Sequence, residues 1–293
     1  MDNKEMLSNA PLGRLIFKLA IPTVLAQLVN MLYNIVDRIF IGHMSDIGDL
    51  ALTGVGVCMP LIMLVSAFAA LVGSGGAPRA SIYMGKKDND SAEKILGSCF
   101  GLQIIVSLVL TAVLLLFSRQ LLLAFGGSEN TIEYAQGYMS VYALGTLFVQ
   151  LTLGMNAFIT AQGFTKISML SVVIGAVSNI ILDPIFIYLF NMGVKGAALA
   201  TVISQCLSSA FIVSFLLGKK TVLRLRKKYM IPRPSVFLPC VALGSAAFIM
   251  QASESVISVC FNSSLLKYGG DKAVGAMTRL TSIMQFALCQ RRV

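Results

Sequence analysis

The 293-residue sequence has no tryptophan, one histidine and few charged residues, and these shortages exclude several classes of function. A single histidine, His43, cannot form a histidine-based metal site. The six cysteines stand singly, so we expect neither a disulfide framework nor a metal site. The sequence also lacks His-Glu-x-x-His, a phosphate-binding glycine loop and Gly-x-Ser-x-Gly. We therefore predict that the protein is not an enzyme and carries no cofactor.

The composition is dominated by apolar residues. Hydrophobic residues make up 56% of the chain and charged residues only 12%, with a mean hydropathy of +0.81. Ordinary globular chains are about 25% charged, so we predict a polytopic membrane protein whose medium is the lipid bilayer. The net charge of +10 lies in the loops between apolar runs rather than on a polar domain. We therefore expect membrane orientation, and no nucleic-acid partner, to explain it.

The uncharged stretches predict an all-α fold. A membrane-spanning helix needs about 20 mainly apolar residues. By that measure the chain holds seven full helices and an eighth segment that starts near Ala273. The predicted domains are a six-helix N-terminal lobe over residues 1–218, a basic connecting loop over 219–234, and the start of a second lobe over 235–293.

The basic residues of the short loops predict the orientation of the chain. With the N-terminus inside, the inner side collects fifteen Lys and Arg residues and the outer loops hold four. We therefore expect a cytoplasmic N-terminus. The location that we expect for the protein is the plasma membrane of a bacterium. Seven of the fifteen lie in the loop at 219–234, which is interpreted either as a lipid-headgroup or partner site or, preferably, as a cytoplasmic connector.

Two carboxylates lie inside predicted spans, Asp37 in the first and Asp183 in the fifth. An ionisable group in hydrocarbon costs several kcal/mol, so one that is present usually handles ions or protons. Asn179 lies one turn before Asp183 on the same helix face, and Thr201 lies in the sixth span. Together these four side chains form a set of hard oxygen ligands that can bind a small cation or share protons. Arg38, the only basic residue within the first six spans, is expected to point away from Asp37.

Two further intramembrane residues have open interpretations. Pro22 lies inside the first helix, where it removes a backbone hydrogen bond and favours a kink. Such a proline is either tolerated or is a bend that responds to the nearby acids. Glu254 is a third intramembrane acid, in the seventh helix, with no predicted partner.

The pattern weakly restarts after the basic loop. GDLALTG at residues 48–54 is similar to GDKAVGA at residues 270–276, an offset of 222 residues. Transporters are often built from such repeats, with their site near the middle of the membrane.

Several stretches resemble the multidrug and toxic compound extrusion (MATE) transporters. These are KLAIPTVLAQ and VDRIFIGHM in the first helix, GSGGAPRASIYMGKKDNDSAEK after the second, MNAFITAQGFTK, SNIILDPIFI, and GVKGAALATVISQ. The resemblance implies twelve helices in two lobes around a cavity with alternating access, driven by H⁺ or Na⁺. It places the first-lobe cation site on Asp37, Asn179, Asp183 and Thr201, the kinking proline on Pro22, and a second-lobe acid on Glu254. Since the family continues for about five more helices, we expect the chain to be truncated within the second lobe.

The expected function is therefore a cation-coupled antiporter that exports amphipathic organic cations, acting as a monomer when full length. Na⁺, if used, would be held by Asp37, Asn179 and Asp183. Two alternatives are a flippase for a lipid-linked precursor, of the same superfamily, and a non-transporting membrane fragment or partner subunit. The flippase would require basic residues in its cavity to meet a pyrophosphate, and the first lobe offers almost none.

Overall fold

Long helices make up nearly all of the structure, a computed structural model that describes residues 12–44 and 48–289, except the side chains of 12–19, 282–283 and 285–289. Seven helices follow one another, α1 (Leu12–Gly42), α2 (Gly48–Gly85), α3 (Asn89–Ala124), α4 (Ile132–Ala161), α5 (Thr165–Pro184), α6 (Gly193–Leu217) and α7 (Pro234–Cys289). A π-helical turn, Ile185–Leu189, continues α5, and a 3-10 turn, Lys227–Tyr229, lies between α6 and α7.

The all-α prediction is confirmed. About 88% of the residues that the structure describes are helical, and none of them lies in a strand. All seven helices are long and apolar enough to cross a membrane, so the protein is a multi-pass membrane protein. The helices are longer than the uncharged stretches: α2 has 38 residues and α3 has 36, because helical structure continues through the charged flanks of each span.

The helices pack around two apolar cores at different depths in the bundle. One core includes Ile41, near the C-terminal end of α1, and Ile132, at the N-terminal end of α4. The other core lies towards the opposite end of the bundle and includes Phe158 of α4 and Leu216 of α6. α2 packs against α3, α4 and α7, whereas α1 packs mainly against α5. The position of α1 in the bundle therefore depends largely on its contact with α5.

The repeat noted in the sequence marks a real helix break. α2 begins at Gly48, and its counterpart Gly270 interrupts α7 with a φ of 65° and a ψ of −167°. Only glycine adopts this conformation readily, so a second helical segment starts there. This agrees with the eighth segment predicted from about Ala273.

Residues related by the repeat also face each other where α7 packs on α2. A Cβ at Gly56 would overlap Thr278, and one at Gly275 would lie 2.6 Å from Thr53 Oγ1. Both pairs are 222 residues apart in the sequence. Contacts between equivalent residues are typical of an interface with two-fold symmetry, and here that interface joins two segments of one chain.

The connector between α6 and α7, residues 218–233, is an ordered strap under the bundle. Its apolar side chains Leu223 and Leu225 are buried, and Arg224 between them is exposed. Gln162, at the end of α4, accepts hydrogen bonds from Val222 N and Leu223 N. The strap is therefore fixed to the bundle by backbone contacts as well as by its charge.

The beginning of α3 provides the other half of this attachment. Buried Glu93 accepts a hydrogen bond from Arg224 N and forms an ion pair with Arg226, Nε to Oε2, at 2.5 Å. Further along α3, Gly97 and Gly101 leave the space that the strap backbone occupies, since a Cβ at either would overlap a carbonyl oxygen of residue 229 or 230.

Candidate functional site

Helices α1, α5 and α6 bring the four predicted oxygen ligands into one buried region. Asp37 lies on α1 and is 7% exposed, while Asn179 and Asp183 lie on α5 and are 1% and 0% exposed. Thr201, on α6, completes the set within reach of Asn179. Because α1 packs on α5 and α5 packs on α6, side chains from distant parts of the sequence come together at one place. We call Asp37, Asn179, Asp183 and Thr201 the acid cluster.

The hydrogen bonds within the acid cluster leave several oxygens without partners. Asn179 Nδ2 donates to Asp183 Oδ1 at 3.1 Å and lies 3.5 Å from Thr201 Oγ1. Asp37 Oδ1, Asp183 Oδ2 and the amide oxygen of Asn179 are buried and accept no hydrogen bond. The two carboxylates are also close enough to repel each other when both are ionised. Buried acceptors of this kind are rare in folded proteins, and each calls for a missing donor or ion.

Tyrosines that the sequence analysis did not consider surround the acid cluster. Tyr33, one turn before Asp37 on α1, interacts electrostatically with both aspartates. On α4, Tyr138 lies beside Thr201, interacts electrostatically with Asp37 and stacks on Tyr142, with ring centroids 6.1 Å apart. The spacing of Tyr33 from Asp37 could have been noticed in the sequence. Tyr138 could not, because its place beside the cluster depends on how α4 packs against α6.

The side chain of Arg38 is directed towards α2, in line with the expectation that it points away from Asp37. Its Nη2 lies 3.4 Å from Met59 Sδ on α2, so the guanidinium does point towards another helix. It is nevertheless only 8% exposed and interacts electrostatically with Asp37. Among the described residues, Arg38 is therefore a buried cation on the Asp37 side of the acid cluster, although its guanidinium is directed towards α2.

The end of α5 holds Asp183 in an unusual stretch of backbone. Pro184 has no N–H to donate inside the helix, and the π-helical turn follows it directly. Within that turn, Tyr188 donates a hydrogen bond to the carbonyl oxygen of Phe40 at 2.7 Å and packs edge-on against its ring. Through these two contacts the π-helical turn anchors α5 to α1 beside the acids. Such turns occur frequently at functional sites.

The other two predicted residues lie outside the acid cluster. Pro22 is buried within α1, fifteen residues before Asp37, and α1 continues through it as one helix from Leu12 to Gly42. Glu254, on α7, is exposed, and its neighbour Ser255 is the buried residue that donates to the carbonyl oxygen of Pro60 on α2. The structure therefore brings together four of the six predicted residues.

The acid cluster has the donor set of a proton or alkali-cation site. Among the described residues, no group of three or more His, Cys, Asp or Glu side chains lies close enough together to hold a metal ion. The unpartnered atoms are oxygens of two carboxylates and an amide, which are hard ligands suited to H⁺ or Na⁺ rather than to a soft transition metal. Their burial shields any bound charge from bulk water.

Seven apolar spans, with a buried and incompletely hydrogen-bonded pair of carboxylates between α1 and α5, define a multi-pass membrane protein with an ionisable site inside the membrane. Comparison with known proteins gives the family. Residues 22–185 match the MatE family, and the chain belongs to that family.

Three relatives illustrate the similarity. The chain is 27% identical over 250 residues to the multidrug export protein MepA of Staphylococcus haemolyticus, covering 85% of this chain and 55% of that protein. The solved structure of the MATE multidrug transporter DinF-BH superposes with a TM-score of 0.89 at 29% identity, over 96% of this chain and 63% of that one. A MOP-superfamily transporter from Pyrococcus furiosus, described by a binding pocket of reverse polarity suggesting a different function, gives 0.86 at 26% identity, over 99% and 63%. The chain spans about half the length of the curated relatives that it matches.

Proposed function

We propose that the protein acts in the cation-coupled export of amphipathic organic cations, and that the acid cluster binds the coupling ion, H⁺ or Na⁺. The observation that carries the proposal is the set of buried, unpartnered oxygens on Asp37, Asn179 and Asp183. The multidrug export proteins and multidrug transporters among its relatives support the substrate class.

A bound cation would remove the main energetic cost of the acid cluster. Two carboxylates that repel each other in a low-dielectric interior cannot both remain ionised without compensation. A proton converts one carboxyl oxygen into a donor, which can then serve an unpartnered neighbour. A sodium ion would instead draw its ligands from Asp37, Asn179 and Asp183. In either case the repulsion between α1 and α5 falls when the cluster is occupied.

This change in repulsion gives the coupling a structural basis. α1 packs mainly on α5, so the interaction between Asp37 and Asp183 acts at the contact that positions α1. Pro22 supplies a point in α1 where one backbone hydrogen bond is missing and bending costs less. Export then requires only that the cation and the substrate stabilise different access states of the same carrier.

The surroundings of the carrier are part of the proposal. The distribution of basic loop residues supports a cytoplasmic N-terminus, which puts the strap and its seven basic residues on the cytoplasmic side. The acid cluster then lies in the outer half of α1 and α5. We infer a multi-pass protein of the bacterial cell membrane that works as a monomer, without a cofactor or a nucleic-acid partner.

The test is substrate export by variants in which a carboxylate becomes an isosteric amide. In cells expressing the protein, Asp37→Asn and Asp183→Asn should each abolish export of an organic cation such as ethidium while leaving the amount in the membrane unchanged. Glu129→Gln, which changes an exposed loop acid, is the matched control and should export normally. Wild-type export by both aspartate variants would refute the proposal.

The flippase alternative is distinguished by charge. It requires a basic cavity for a pyrophosphate, whereas the buried polar residues described around α1, α5 and α6 include two acids and one arginine, Arg38. Export of a lipid-linked anion, unaffected by Asp37→Asn, would favour it.

A further inference from the structure

The acid cluster lies far from the cytoplasmic end of its helices. Asp183 is 18 residues from Thr165, where α5 begins, which corresponds to about 27 Å of helix at 1.5 Å per residue. Asp37 is only five residues from Gly42, at the outer end of α1. An ion that is coupled to export must cross the long distance to the cytoplasm as well as the short distance to the outside. A purely apolar interior would prevent it from doing so.

One interface in the bundle is polar along that distance. Successive turns of α5 carry Ser171, Gly175, Asn179 and Asp183, and this side of α5 packs on α6. From the facing helix, Ser208 Oγ donates to the carbonyl oxygen of Ser171 at 2.8 Å. Small and hydroxyl-bearing residues are common at contacts between membrane helices, so what distinguishes this interface is its atoms that lack hydrogen-bond partners.

Several atoms of this interface are buried without a partner. Ser204 is 2% exposed and its hydroxyl has no hydrogen-bond partner, although a serine in a helix can usually donate to its own backbone. The amide oxygen of Asn179 is also unpartnered. Unpaired buried oxygens on both sides of one interface are sites where ordered water binds.

Gly175 leaves the space between these groups. A methyl group on Gly175 would lie 3.6 Å from Ser208 Cβ, 3.8 Å from Ser208 Oγ and 3.8 Å from the carbonyl oxygen of Ser204. These are ordinary contact distances, so the interface has room for one small group at this level and none for a large one.

The polar interface continues towards the cytoplasmic end of α4 and α5. Ser171 Oγ lies 3.5 Å from Asn156 Oδ1, and Thr160 Oγ1 donates to Ser168 Oγ at 3.0 Å. Ser171 is fully buried, whereas Asn156, Thr160 and Ser168 are half-buried, so exposure rises towards that end.

We propose that the coupling cation passes between the acid cluster and the cytoplasm through a hydrated path along the α5–α6 interface, lined by Asn179, Ser204, Ser208 and Ser171. The hydroxyl and amide groups supply the oxygen contacts that replace bulk water around a moving charge, and the water chain spans the gaps between them. This inference rests on the proposed function, because it assigns a route to the same ion.

The path is tested by cysteine accessibility in a variant whose six native cysteines are replaced by serine. Single cysteines are introduced by Ser204→Cys and, as a control, by Ile212→Cys. Ile212 lies on the same helix, nearer the cytoplasmic end, but is fully buried in an apolar core. Inside-out vesicles are treated with the small cationic reagent aminoethyl methanethiosulfonate, with free cysteine trapped in the lumen.

Thiols react as thiolates, which form in water and not in an apolar core. We therefore expect the Ser204→Cys thiol to react at least tenfold faster than the Ile212→Cys thiol. Adding Gly175→Leu should slow the reaction at position 204 at least tenfold, and Gly175→Ala, which adds only a methyl group, should slow it less. Equal, slow labelling at positions 204 and 212 would overturn the path.

The same preparation separates this inference from the proposed function. Slow labelling at position 204, together with loss of export in Asp183→Asn, would refute the path alone, since the cluster would then fill from outside. Fast labelling with normal cation-dependent export by Asp183→Asn would refute the function and, with it, the path as a route for the coupling ion.

Discussion

Replacing Gln162 by leucine should release the strap from the bundle. The Gln162 amide oxygen accepts hydrogen bonds from Thr221 Oγ1 at 2.7 Å, Val222 N at 3.0 Å and Leu223 N at 2.9 Å. Thr221 keeps a second partner in the carbonyl oxygen of Leu223, so the substitution strands two backbone N–H groups. Leu223 is fully buried and Val222 is half-buried.

The loss of stability follows from the backbone N–H groups of Val222 and Leu223, which lose their acceptor. A buried donor left without an acceptor costs about 1–3 kcal/mol, and the half-buried Val222 N–H recovers part of its loss from water. The strap should therefore be destabilised by about 2–3 kcal/mol. Since 1.4 kcal/mol is a factor of about ten in an equilibrium constant, the detached population should rise roughly 30- to 150-fold.

Limited trypsin digestion of inside-out vesicles measures that population. The strap carries seven basic residues, and cleavage of a transiently opened segment follows its open fraction when opening and closing are fast. Gln162→Leu should be cut within the strap about 30- to 150-fold faster than the wild type. Gln162→Glu keeps acceptor oxygens and should stay near the wild-type rate, and cleavage at the exposed Lys86–Lys87 turn should not change. Wild-type cleavage of Gln162→Leu would show that Gln162 does not hold the strap.

Two further predictions concern close packing and a helix cap. Gly75→Ala or Gly244→Ala should prevent normal packing of α7 on α2, because the added Cβ would overlap a backbone oxygen of the other helix. Both substitutions should therefore lower the melting temperature in detergent. Gly85→Ala, where the methyl group meets nothing within 4 Å, is the control and should leave the melting temperature unchanged. At the start of α3, hydrogen bonds from Ser91 hold the pKa of Asp88 below its usual value. The cap is therefore present above the pKa of the unfolded state and is lost as the pH falls through the folded one. The protection of the Ser91 amide hydrogen, measured against an unstructured peptide at the same pH, should fall below about pH 4, and in Asp88→Ala it should already be low at neutral pH.

The sequence was sufficient to predict the elements of the fold and the composition of the acid cluster. Apolar length determines which segments become helices, and the cost of burying Asp37 and Asp183 identifies them without knowledge of their neighbours. Asn179 follows because it is one turn from Asp183. These predictions depend on local spacing, which a sequence shows directly.

Contacts between distant helices could not be predicted in the same way. Tyr138 lies beside Thr201 only because α4 packs against α6, and Nη2 of Arg38 lies 3.4 Å from Met59 Sδ through side-chain conformation rather than helix position. The strap was predicted as a basic connector, yet its attachment depends on Gln162 and Glu93, which lie far away in the sequence. Pairing across such distances is decided by packing, which no local pattern shows.

The central claim is that Asp37 and Asp183 bind the ion that drives export. It is tested most directly in proteoliposomes by measuring substrate transport under a proton gradient and a sodium gradient imposed separately. We predict that one of the two gradients accelerates transport by the wild-type protein and by Glu129→Gln, and that neither gradient accelerates it in Asp183→Asn. Acceleration of Asp183→Asn equal to that of the wild type would contradict the claim.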